Sequence, residues 1–209
     1  MSKHLLQDLA RALNWTSDPP IRWTQGLSTQ EMDKIASALG LDSWCGTAYR
    51  EDMHSAERRF IAREPRASSC VINTAPQGQV KGEHWVCLYY DPSDPELQHH
   101  LEFFDPAGLI NHLPSVTCVM ENLSPFHPVV QNQTPIQDIF DPKSPACGYH
   151  CLYYVMCKDS TLPLDTDQPL DASNVGQLAY PDGGRFSHVN DVHAMTVVEG
   201  FIKNRGLVL

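Results

Sequence analysis

The stretch Ser-Pro-Ala-Cys-Gly-Tyr-His-Cys-Leu-Tyr-Tyr, residues 144–154, constrains this chain more than any other. Ser144 is a favourable N-cap and Pro145 suits the first helical position, so an apolar helix is predicted over 145–157. Cys147 then falls in the first turn, near the positive end of the helix dipole, where a thiolate is favoured.

The remaining pattern predicts both helices and strands. Leu5, Leu6, Leu9 and Leu13 recur at helical spacing until Ser-Asp-Pro-Pro at 17–20 stops them. A second helix opens at Ser28 with Glu31 completing a capping box, carries Met32, Ile35, Ala36 and Leu39 on one face, and ends at Gly40. From 68 to 110 the segments SCVINTA, HWVCLYY and LEFFDPAG are rich in β-branched and aromatic residues and punctuated by Gly and Pro, predicting a small antiparallel sheet. A strand at 128–133 leads through a proline-containing loop to the apolar helix, and 159–187 reads as loop. A last helix is expected from Asp191 to Asn204, with Val192, Met195, Val198 and Ile202 inward and Gly206 as its stop. The 209 residues suffice for one domain with a full core.

Lys and Arg total 15 against 25 Asp and Glu, a formal net charge of −10, which argues against DNA or anionic-membrane binding. The four arginines of residues 56–66 form the one basic segment and read as a solvated, mixed-charge stretch. Seven cysteines, an odd number, with no secretory signal at the N-terminus, predict free thiols in a reducing, intracellular setting. No apolar run approaches the roughly 18 residues of a membrane span.

A catalytic thiol needs a base, and the base an orienting partner. A hairpin turn centred between residues 94 and 95 places His84 opposite Asp105 on one face of the sheet, and Glu102 opposite Cys87 on the other; a β-bulge would exchange the two acids. Taken singly, His84 reads as a strand-end histidine bonded to backbone, and Cys147 as a small buried hydrophobe. Cys147, His150 and Cys151 also have the spacing of metal ligands within one helical turn. No second paired cluster completes a zinc site, so no metal is expected.

The order His84, Asp105 and Cys147-Gly148 resembles the adenovirus endopeptidase (adenain) family, and more distantly the ubiquitin-like-modifier proteases. The segment CVINTAPQGQVKGEHWVCLYY is similar to that family's strand, glycine-containing loop and His-Trp strand. LEFFDPAG is similar to its acidic-Pro-x-Gly segment, SPACGYHCLYYVM to its nucleophile helix, and MDKIASALGLDSWCGTAYREDM to its opening helix and turn. The resemblance implies an α+β, papain-like or adenain-like fold, with a small, mostly antiparallel central sheet packed against the nucleophile helix and flanking helices. Residues 27–209 would form the protease domain and 1–26 an N-terminal extension.

By the same resemblance Cys147 is the nucleophile, His84 the base and Asp105 the residue that orients it. A Gln completes the family's oxyanion hole. Gln137 matches it by local sequence but lies ten positions before Cys147, whereas Asp141 stands at the six-residue spacing; Gln137 is preferred because an ionised Asp cannot donate. Trp85 either walls the site or packs the sheet. The implied activity is a viral thiol protease that cleaves structural precursor polypeptides during virion maturation in the infected cell, its nucleus included, with no cofactor in the chemistry. Adenovirus enzymes are activated by a disulfide-linked peptide, and Cys118 lies distant from the position expected for that link. A protease of ubiquitin-like modifiers and an inactive binding module of the same fold are the alternatives.

Overall fold

The structure is a computed structural model that describes residues 26–63, 65–76, 84–93, 101–108, 129–132, 134–138, 145–162, 164 and 168–206. The leucine repeat at 5–13, Cys118, Asp141 and Ser144 lie outside these residues, as does nearly all of the expected extension at 1–26.

Helix α1, Thr29–Leu39, forms as its local signals dictate. Ser28 and Glu31 make both bonds of the capping box, Gly40 closes the helix at φ 68°, and Met32, Ile35, Ala36 and Leu39 are buried. Strand β1, Trp44–Tyr49, follows. After a short 3₁₀ turn at Arg50–Asp52 comes α2, Met53–Ile61. Neither β1 nor α2 was expected. Strands β2 (Ser68–Asn73), β3 (Trp85–Tyr90), β4 (Leu101–Phe104) and β5 (Val129–Gln131) match the predicted segments.

The five strands form one sheet in chain order. Its pairing corrects the mostly antiparallel expectation: β2–β3 and β3–β4 are antiparallel, but β1–β2 and β4–β5 are parallel. Parallel neighbours require a long return connection, and α2 with its flanks supplies one between β1 and β2. The fold is thus mixed α/β, compatible with the α+β class in general.

Helix α3, Cys147–Lys158, starts at Cys147 with Ala146 at the N-cap, not at the Ser144-Pro145 signal. A short α4, Val175–Ala179, and a 3₁₀ turn at Pro181–Gly184 interrupt the predicted loop. Helix α5, Ser187–Asn204, begins four residues before the expected Asp191. Met195, Val198 and Ile202 are buried, Val192 only partly.

Alternation along the strands divides the core. Val71, Trp85, Cys87, Tyr89 and Phe104 pack with α1, α3 and α5, while Cys70, Ile72, Val86, Leu88, Tyr90, Leu101 and Phe103 pack with Ala56 and Phe60 of α2. Helix α3 is buried on every side from Gly148 to Cys157, as an all-round apolar helix must be. Two arginines of the basic segment are structural: Arg59 donates to Cys45 O at 2.7 Å and Arg63 to Trp44 O at 2.7 Å, tying α2 and its C-terminal flank to β1.

Candidate active site

Sheet topology gathers the site. Because β4 runs antiparallel to β3 and parallel to β5, the start of β3 and the ends of β4 and β5 share one end of the sheet. His84 immediately precedes β3, Asp105 immediately follows β4, and the segment to Asp138 follows β5.

His84 and Asp105 meet there, with Nε2 2.6 Å from Oδ1. The hairpin register that motivated the pairing is corrected by two residues: Cys87 faces Phe104, and Tyr89 faces Glu102. An even shift preserves parity, so His84 and Asp105 become diagonal neighbours on one face, still within reach. Strict alternation would point both toward α2. They lie just outside the paired residues, however, and Cys147 of α3 is near enough to the imidazole to raise its proton affinity.

Both residues are held firmly. The His84 carbonyl accepts from Thr74 N–H at 3.0 Å and from its hydroxyl at 3.2 Å. Asp105 is fully buried; its Oδ1 also accepts from Ala107 N–H at 2.9 Å, and its backbone is bracketed by Asn132, which accepts from Asp105 N–H at 2.8 Å and donates to Asp105 O at 2.6 Å. Gly108, at φ 58°, closes the acidic turn; a Cβ there would lie 2.5 Å from Pro135 N, so only glycine lets the 105–108 turn seat against 134–135.

Burial lowers the proton affinity of His84, but the hydrogen bond to Asp105, the neighbouring Cys147 and the charge of Asp105 outweigh it and raise the imidazole to about 10. With Nε2 committed to Asp105, Nδ1 is the nitrogen that can face the thiol. Cys147 is partly exposed at the first position of α3, whose N-cap, Ala146, has no side-chain oxygen to cap the first-turn amides. Cys70, Cys87, Cys151 and Cys157 are instead buried, and burial pushes their thiols up, Cys70 and Cys157 to about 12. Gly148 lets α3 approach its neighbours: a Cβ there would meet Met32 Cε at 3.3 Å and both Leu27 Cβ and Trp85 Cδ1 at 3.4 Å. Trp85 is buried and donates from Nε1 to Leu27 O at 3.1 Å, so it packs between α1 and α3.

Gln137 is buried, and its N–H and that of Ile136 both donate to Pro106 O at 2.8 Å, which places it beside the acidic turn. Its side-chain Oε1 has no hydrogen-bond partner. Glu102, the rival acid, is committed elsewhere: it pairs with Lys158 at 2.7 Å and accepts from Tyr154 O–H and, at 2.8 Å, from Ala172 N–H.

Sequence reasoning missed a second buried pair. His150 Nε2 lies 2.8 Å from Asp191 Oδ1, and its Nδ1 lies 2.6 Å from the Tyr180 hydroxyl. Burial lowers the proton affinity of His150 despite Asp191, so the ring is neutral, with Nε2–H donating to the carboxylate and Nδ1 accepting from Tyr180. Both nitrogens are thereby occupied, and His150 is not presented as a metal ligand. Among the described residues no three His, Cys, Asp or Glu side chains are grouped to hold a metal, and no helix is long and apolar enough to cross a membrane. Asn132, Tyr180, Asn190 and Asp191 carried no local motif to announce them. No protein-family model matches the chain, and no curated protein matches its sequence.

Proposed function

We propose that this chain is a cysteine endopeptidase of adenain-like fold, a viral thiol protease that cleaves structural precursor polypeptides during particle maturation. The observation that carries the catalytic part is the buried His84 imidazole, 2.6 Å from the Asp105 carboxylate and raised also by the partly exposed Cys147 at the start of a helix. The viral and maturation part rests on the sequence resemblance.

The chemistry is the one the resemblance implies, and the His84–Asp105 hydrogen bond supports it. His84 holds the Cys147 proton, leaving thiolate and imidazolium, and Asp105 keeps the ring oriented and its charge compensated. The thiolate attacks the scissile carbonyl, and the oxyanion is met by the Cys147 N–H and the Gln137 side-chain amide. His84 then gives its proton to the leaving amine, a thioester remains on Cys147, and His84 draws a proton from the water that hydrolyses it. An activating peptide and the virion or nuclear setting belong to the same resemblance; the net charge of −10 disfavours DNA as an activator.

The test is hydrolysis of fluorogenic peptides ending in Gly-Gly or Gly-x, beside di-Gly-ended modifier conjugates, by wild type and Cys147→Ala. Peptide cleavage that vanishes in the variant supports the proposal. Cleavage of the conjugates alone moves the chain to the modifier proteases. Cleavage that survives Cys147→Ala removes it from both.

A further inference from the structure

One oxygen, Asp191 Oδ1, accepts two hydrogen bonds from different parts of the molecule: His150 Nε2–H at 2.8 Å and the backbone N–H of Asp138 at 3.1 Å. His150 sits on α3, three residues after Cys147, and Asp138 directly follows Gln137. The adjacent Asn190 grips the same segment from its other side, donating from Nδ2 to Ile136 O at 3.0 Å and to Gly184 O at 3.0 Å. Asn190 is fully buried, Asp191 nearly so, and His150 fully.

We infer that Asp191 and Asn190 of α5 are positioning residues that fix Gln137 relative to Cys147, so that the oxyanion hole is assembled across α5. The inference rests on the proteolytic reading above. Gln137 belongs to a loop, and its side-chain Oε1 makes no hydrogen bond; the flanking peptide groups are held at Ile136 and Asp138. The other end of the clamp is the nucleophile helix itself, through neutral His150, whose Nδ1 is locked by Tyr180. A carboxylate suits this task because it accepts two donors at one oxygen, and an unpaired buried amide or imidazole N–H would otherwise result. Neither Asp191 nor Asn190 is assigned contact with the substrate.

The test uses the full chain and compares wild type, Asp191→Ala, Asp191→Asn, Asn190→Ala, Gln137→Ala and the Asp191→Ala/Gln137→Ala double variant. The readouts are kcat and KM on a fluorogenic Gly-x peptide and the rate of Cys147 alkylation by iodoacetamide. Asp191→Ala is expected to lower kcat by about ten- to a hundredfold with KM and alkylation within about twofold of wild type. Asp191→Asn, which keeps an acceptor oxygen, is expected to recover most of that loss. Because the clamp acts through Gln137, Asp191→Ala is expected to add nothing in the Gln137→Ala background. Should Asp191→Ala fail to fold, Asn190→Ala carries the same expectation: lower kcat with unchanged alkylation. Additive losses, a parallel fall in alkylation, or an unchanged kcat in an active enzyme would overturn the inference. A wild type that cleaves no peptide and whose Cys147 is not alkylated in preference to the other cysteines overturns the proteolytic reading, and the inference with it.

Discussion

Two histidines in this molecule sit in nearly matching surroundings and behave oppositely. His84 and His150 are each buried and each hydrogen-bonded through Nε2 to an aspartate, at 2.6 Å and 2.8 Å. Yet His84 is raised to about 10, whereas His150 is lowered. A paired carboxylate is therefore not enough to charge a buried imidazole. The two differ in their further neighbours: Cys147 also raises His84, while His150 meets a neutral Tyr180 hydroxyl and feels the charge of His84. The same two residue types make an acid–base pair in one place and a structural tie in the other.

Exchanging the acids breaks the comparison most forcefully. Asp105→Asn is expected to cut kcat/KM on the order of a thousandfold or more, because the amide neither compensates an imidazolium nor fixes its orientation. Asp191→Asn, by contrast, keeps an acceptor for both donors and is expected to stay within about tenfold of wild type. Steady-state kinetics on one peptide substrate measures both. Equal losses would mean that the two pairs serve the same purpose.

A smaller effect is expected at Gln137. Truncation to Ala should cost about a hundredfold in kcat through the lost oxyanion donor, with little change in melting temperature, since the side-chain Oε1 makes no hydrogen bond to lose. Single-turnover acylation would isolate that step. Next in size is Tyr180→Phe, which strips the hydroxyl from His150 Nδ1 and leaves it buried without a donor. Urea unfolding should show a loss of about 1–3 kcal/mol, and the alkylation rate of Cys147 should not follow it.

The most delicate test is by pH. His84 is raised from 6.5, so its contribution to stability is complete below 6.5 and is lost as pH rises toward about 10. His150 is lowered from 6.5, so the folded state prefers it neutral, and stability declines as pH falls below 6.5. Long-range nitrogen–proton NMR at neutral pH should find His84 doubly protonated and His150 as the Nε2–H tautomer. Two neutral rings would dissolve the contrast, and Cys147→Ala should bring His84 down toward His150.

How far the sequence foretold this can be judged residue by residue. Helix α1 was legible because its capping box, apolar stripe and terminal glycine are all local. His84 and Asp105 were legible as a pair although the turn was centred wrongly, since an error of two residues preserves the face. Strand β1 escaped because it contains Gly46 at φ 98° and pairs in parallel with β2, a choice made by tertiary contact. The charges of α2 and its flank looked solvated, whereas Arg59 and Arg63 are spent on β1 carbonyls. The clamp around Gln137 joins residues 41 and 53 positions apart, and no local pattern encodes such a bond.

Gly108 has a consequence for how such a chain can change over generations. A side chain at 108 would collide with the backbone at Thr134 and Pro135, so the turn carrying Asp105 and the segment leading to Gln137 are dimensioned for each other. Neither can drift in length or course unless the other shifts in the same lineage. Asp105 and Gln137, separate in the gene, are therefore inherited as one part, and a graft that moved only one of them into a related scaffold would transfer neither.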